Sequence, residues 1–211
     1  GGFTFSGCVG LEQVTLGDAV TAIGEGAFYN CTNLGDFAIP ATVTSIGRRA
    51  FYNCTSLEAV TIPEGVTVIG AFTFEGCTGL TTVNIGTAVT DIGEGAFTGC
   101  TGLTGLILPN TVTSLGGSAF AGCTGLVRIT LPAGVTMIGA FTFSGCTGLT
   151  MVSMGNAVTS IGEGAFAGCT SLRSIVIPSS VKDIGDNAFL GCSSLTSFAF
   201  QGDAPSSLGS D

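Results

Sequence analysis

Nine cysteines stand at positions 8, 31, 54, 77, 100, 123, 146, 169 and 192, and every interval between them is 23 residues. A strict period of that length marks a chain wound into stacked coils, none of which can bury an apolar face alone. One copy of the unit reads VTSIGEGAFAGCTSLRSIVIPSS, residues 158–180. Its apolar positions, Val158, Ile161, Ala165, Phe166, Cys169, Leu172, Ile175 and Ile177, recur from copy to copy. The expected organisation is one solenoid over 1–211. A partial repeat (1–19) precedes full repeats starting at 20, 43, 66, 89, 112, 135, 158 and 181, and a partial repeat (204–211) follows.

Leu172, Ile175 and Ile177 form an L-x-x-I-x-I run, and its period-two alternation predicts a short strand. Stacked strands of this kind make a parallel sheet with a continuous core behind it, and nine coils spaced by about 4.8 Å span about 43 Å. The expected fold is therefore an α/β repeat solenoid, mostly β and irregular, with one short parallel strand per coil in about nine coils.

The form IGxxAFxxCxxLxxIxIP, carried along essentially the whole chain, resembles the BspA-like leucine-rich repeat. The resemblance implies a leucine-rich-repeat horseshoe or rod at the surface of bacteria or parasitic protists, used for adhesion and for binding host or matrix proteins. Three coils depart from the pattern, ending in LGDA (16–19), IGTA (85–88) and MGNA (154–157) where others have a Pro.

Composition narrows the function further. The chain carries 5 Lys and Arg against 14 Asp and Glu and has no His, so a nucleic-acid partner, which needs clustered cations, is not expected. No apolar run reaches the roughly 18 residues of a spanning helix, so no membrane insertion is expected. The opening at Gly1, without a signal peptide, fits a mature or excised segment. Without His, and with Lys182 as the one lysine, the chain offers little for acid–base or nucleophilic catalysis, and a non-enzyme without cofactors or metals is expected. The cysteines lack the C-x-x-C pairing of zinc sites, and an inward apolar slot makes each a small hydrophobe in a free buried ladder; neighbouring disulfides and a redox or metal role are the alternatives. Gly24 and its equivalents suit a left-handed or closely packed backbone position rather than a phosphate loop. Glu25, Glu94 and Glu163 read as a solvated face. Asn30-Cys31-Thr32 and Asn53-Cys54-Thr55 match the N-glycosylation pattern around a buried Cys.

Candidate contacts fall in three groups. Alternation turns the residues flanking the middle strand apolar outward, which selects Gln13, Asp36, Thr82, Asn84, Ile107, Arg128, Met151 and Val176 on the strand face. This face lacks aromatic anchors and suits a weak or extended contact. Phe3, Phe72 and Phe141 recur every 69 residues at a turn position held elsewhere by Gly26 and its equivalents. They form either an exposed contact row about 14 Å apart or a by-product of block duplication, each ring folding over its own coil. The split repeat offers open ends, with Phe3, Phe5, Phe198, Phe200 and Leu208 as end-to-end contacts.

The function these features predict is a non-catalytic extracellular or cell-surface interaction protein, structural or adhesive, that self-assembles head to tail into a filament. The alternative is a fragment of a larger adhesin that binds host or matrix proteins through the strand face. Expected partners are proteins, copies of the chain included.

Overall fold

A computed structural model describes residues 1–35 and 37–210. Its strands, in chain order, are β1 (Ala22–Ile23), β2 (Ser45–Ile46), β3 (Ala59–Ile62), β4 (Val68–Ile69), β5 (Thr82–Ile85), β6 (Asp91–Ile92), β7 (Ser114–Leu115), β8 (Arg128–Thr130), β9 (Met137–Ile138), β10 (Met151–Ser153), β11 (Ser160–Ile161), β12 (Ser174–Ile177), β13 (Asp183–Ile184), β14 (Ser197–Phe200) and β15 (Ser207–Leu208). All pairings are parallel and join one coil to the next. Among the described residues there is no helix, so the solenoid is β and irregular throughout.

The strand foreseen in L-x-x-I-x-I is present as β3, β5, β8, β10, β12 and β14. Its alternation is explicit in β3, where Ala59 and Thr61 face solvent while Val60 and Ile62 are buried. A second strand per coil joins it, formed by the two residues before the invariant Gly, as in Ser160–Ile161. Partners are offset by 23 residues, for example Ile161 with Ile184 and Val60 with Val83. The last pair, Ile184 with Leu208, is offset by 24, so the tail holds one extra residue.

The third wall is a string of turns through GxxAFxxC. Amides alternate between an acceptor three residues back and one in the next coil: Ala27 N–H donates to Gly24 O, Phe28 N–H to Ala50 O, Tyr29 N–H to Gly26 O. Nine phenyl rings stack behind this wall from Phe5 to Phe189, with centroids 5.3–5.6 Å apart. Phe198 closes the far end edge-on against Phe189.

The cysteines line the same wall as free thiols. Every one after Cys8 donates across the coil boundary to a phenylalanine carbonyl: Cys54 Sγ lies 3.1 Å from Phe28 O, Cys100 Sγ 3.1 Å from Phe74 O, and Cys146 Sγ 3.1 Å from Phe120 O. Phe28 O also accepts the Cys31 N–H of its own coil, so both lone pairs of a buried carbonyl are used. A thiol is small enough for the slot and still supplies a donor, which neither Ala nor Val does.

Of the two explanations for Gly24 and its equivalents, close packing holds. None has a positive φ, whereas a Cβ on Gly47 would stand 2.5 Å from Glu25 N in the preceding coil. Positive φ instead occurs two and six residues further on. The later position is always Gly or Asn, from Gly7 and Asn30 to Gly191, the residues that tolerate a left-handed backbone.

Candidate functional site

Position two after the invariant Gly answers why a phenylalanine stands where glycine is usual. All nine residues there have φ of 53–58°, whatever their side chain: Phe3, Gly26, Arg49, Phe72, Gly95, Ser118, Phe141, Gly164 and Asn187. A non-glycine residue in this region costs roughly 1–2 kcal/mol, and the phenylalanines offset it through contact with the next coil. Phe3 lies over Gly26, Phe72 over Gly95 and Phe141 over Gly164. A Cβ on any of these three glycines would come within 2.5 Å of a ring carbon. Each ring therefore seats on the following coil, not on its own. Thr73 and Thr142 take the buried Ala slot beside these rings, and their hydroxyls donate to Gly70 O and Gly139 O at 2.8 Å.

The outer row remains open to solvent in part. Phe3 is 52 % and Phe141 40 % exposed, and Phe72 is half-buried. Phe72 is covered by two cations, Arg48 Cζ at 5.0 Å and Arg49 Cζ at 5.4 Å from its centroid. Tyr29 and Tyr52, the chain's two tyrosines, stack at 4.6 Å beside them. Burial raises the Glu75 carboxyl pKa, and Arg49 opposes that rise.

On the strand face, Gln13, Thr82, Asn84, Ile107, Arg128, Met151 and Val176 are exposed, while Asp36 lies outside the described residues. The fifth coil interrupts this face. Residues 105–108 form no strand and meet their neighbours through a single bridge, Gly105 to Arg128. The strand face comprises three pairs, β3–β5, β8–β10 and β12–β14, and at the fifth coil β5 is left with an unpaired edge. A groove of about 1010 Å³ opens between β5 and β8, lined by Thr82, Asn84, Ile107, Leu108, Arg128 and Thr130 among others. It brings together four of the predicted contacts: Thr82, Asn84, Ile107 and Arg128. Ile107 is 88 % exposed while Leu106 and Leu108 turn inward. The rim is fixed at Thr87, whose N–H and hydroxyl donate to the Glu64 carboxylate at 2.8 and 2.6 Å and hold its pKa below the ordinary value. Met151 and Val176 stand apart from the groove. Sequence reading missed the break itself, for which Gly105 was the available signal: glycine weakens a strand interior.

At the ends, Phe5 is 36 %, Phe198 41 % and Leu208 61 % exposed, with Phe200 partly buried against Phe198.

The buried thiols are unsuited to nucleophilic or metal chemistry. Seven are buried, and desolvation pushes Cys77 and Cys146 up to about 12 and raises Cys54, Cys100 and Cys123 further.

Parallel coils on an internal phenyl stack, with an exposed strand face, define a leucine-rich-repeat solenoid. The chain belongs to the BspA type leucine-rich repeat family, whose model matches residues 1–127 and 90–207. Solved structures agree. A leucine-rich cell surface protein from Faecalibacterium prausnitzii is 28 % identical, with TM-score 0.60 over 96 % of this chain and 76 % of its own. A leucine-rich repeat protein from T. pallidum is 28 % identical, with TM-score 0.70 over 83 % of this chain and 79 % of its own. One from Bacteroides ovatus is 28 % identical, with TM-score 0.52 over 100 % and 71 %. No curated protein sequence matches the chain.

Proposed function

We propose that this is a non-catalytic, extracellular or cell-surface solenoid that holds protein partners on its L-x-x-I-x-I face, with the fifth-coil groove as the anchor. The groove is the observation that carries the reading. The free edge of β5 supplies unpaired backbone donors and acceptors, Ile107 an apolar anchor, and Arg128 a charge. Those are the requirements for adding an extended peptide segment to a sheet edge. The surface location is supported by the F. prausnitzii relative, a cell surface protein. Among the described residues no helix is long and apolar enough to cross a membrane. Adhesion to a host or matrix protein is this mode of contact used between cells.

The test is selection of a displayed random-peptide library on the chain, followed by hydrogen exchange. Selected peptides should protect amides of residues 82–85 and 105–108. Ile107→Asp should weaken them at least 10-fold while Val176→Asp leaves them unchanged. Binders that ignore Ile107 and map elsewhere would refute the groove as anchor.

Head-to-tail filament growth is the second reading. It is favoured by the exposed aromatic side chains at both ends of this 211-residue chain, Phe3 and Phe5 at one and Phe198 at the other. That reading requires sedimentation mass to rise beyond a dimer without limit as concentration increases, and to be reduced by Phe5→Ser; a mass that stops at monomer or dimer would overturn it.

A further inference from the structure

The outer turn row carries a pattern independent of the groove. Ala71 and Phe72 are adjacent in the fourth coil. One coil before them stand Arg48 and Arg49, and one coil after stands Glu94, at the same turn positions. Three coils before stands Phe3 and three after stands Phe141. Reversal of the row about Phe72 therefore places arginine on glutamate and phenylalanine on phenylalanine. We propose that the row pairs two copies of this chain side by side and antiparallel, with a twofold axis at Ala71–Phe72.

A twofold contact must be self-complementary: if one residue faces a second, the second faces the first. This row meets that condition without a like-charge clash. Arg48 and Arg49 face Glu94 of the second copy, twice over. Phe72 meets itself on the axis, and Phe3 meets Phe141 twice over. Glu25, one coil before Arg48, faces Gly117. Arg48 and Glu94 are exposed, and Phe3 and Phe141 present free ring surface. Arg49 Nε is buried and its charge lies near Glu75 of its own chain, so Arg48 is the cation more open to the second copy. The composition, three phenylalanines and two arginines in a line, is that of interface anchors.

From Phe3 to Phe141 is six coil spacings, about 29 Å. A strip of that length one side chain wide buries roughly 700 Å² over both partners, below the ~1,200 Å² of stable complexes, so the pairing is weak and reversible.

Sedimentation velocity from about 1 to 200 µM is expected to show a monomer–dimer equilibrium that stops at the dimer. Phe72→Gly, which keeps a residue suited to φ 58°, should weaken it at least 10-fold. R48E/R49E and E94R should each abolish it, and the combined R48E/R49E/E94R chain should recover it to within about threefold. In a Cys8→Ser background, Ala71→Cys should form a chain-to-chain disulfide across the axis. Circular dichroism melts of each variant separate loss of pairing from loss of fold. A monomer at all concentrations would overturn the proposal. So would a dimer that the combined charge reversal fails to rescue, or growth beyond the dimer that Phe72→Gly does not affect, which is the signature of end-to-end association instead.

Discussion

Raising the pH should unfold this protein through its cysteines. Five interior thiols, Cys54, Cys77, Cys100, Cys123 and Cys146, have pKa values raised by desolvation. In the unfolded chain each titrates near ~8.5. Above that pH the unfolded state sheds protons that the folded state retains, so the unfolded state binds fewer protons and stability falls as pH rises. The contribution is intact below pH ~8.5 and drains away up to the folded values, about 12 for Cys77 and Cys146. At pH ~9.5 each thiol favours unfolding by ~1.4 kcal/mol, and the five together by about 7 kcal/mol, comparable to the whole stability of many domains. Urea melts followed by far-ultraviolet circular dichroism between pH 7 and 10.5 measure this directly, in reductant so that exposed thiolates do not cross-link. The slope against pH in a C77A/C146A chain should be about two-fifths smaller. A flat profile from pH 8.5 to 10, or any of the seven buried thiols reacting with a disulfide reagent at pH 8 as fast as the exposed Cys8, would refute the buried ladder.

Other perturbations test the packing. Gly47→Ala should cost about 3 kcal/mol, because its Cβ meets backbone that cannot yield. Gly105→Ala, with nothing within 4 Å of its Cβ, should stay within ~0.5 kcal/mol by urea melts. Thr142→Val should lose ~1 kcal/mol by removing the hydroxyl donor from Gly139 O, which keeps the longer Thr142 N–H bond. Gly164→Ala should destabilise strongly with Phe141 present and much less in Phe141→Gly. A double-mutant cycle should give a coupling of at least ~1 kcal/mol, and simple additivity would disprove the ring's seat on that glycine.

How much of this was legible beforehand depended on where a residue's neighbours lie. The 23-residue cysteine interval disclosed the stacked coils, the inward slots and the parallel strand, because those follow from periodicity within one coil. The second strand was not legible. It spans only two residues per coil, too few for alternation to register, as in Val68–Ile69. Phe72's seat was hidden for a different reason. Its partner Gly95 is a whole coil away, and the Glu-Gly following each phenylalanine coil reads locally as an ordinary turn. The outward direction of Thr82, Asn84, Ile107 and Arg128 was readable from alternation, but their gathering around a cleft was not. That depends on the fifth coil failing to pair along residues 105–108.

The phenyl-on-glycine seat also limits how such a molecule can change length. Excising the single 23-residue unit that contains Gly95 would lay Phe72 against the side chain of Ser118. Removing or inserting 69 residues leaves every ring on a bare backbone. Growth and shrinkage by recombination should therefore proceed in blocks of three windings, and designed variants of altered length should be cut to the same measure.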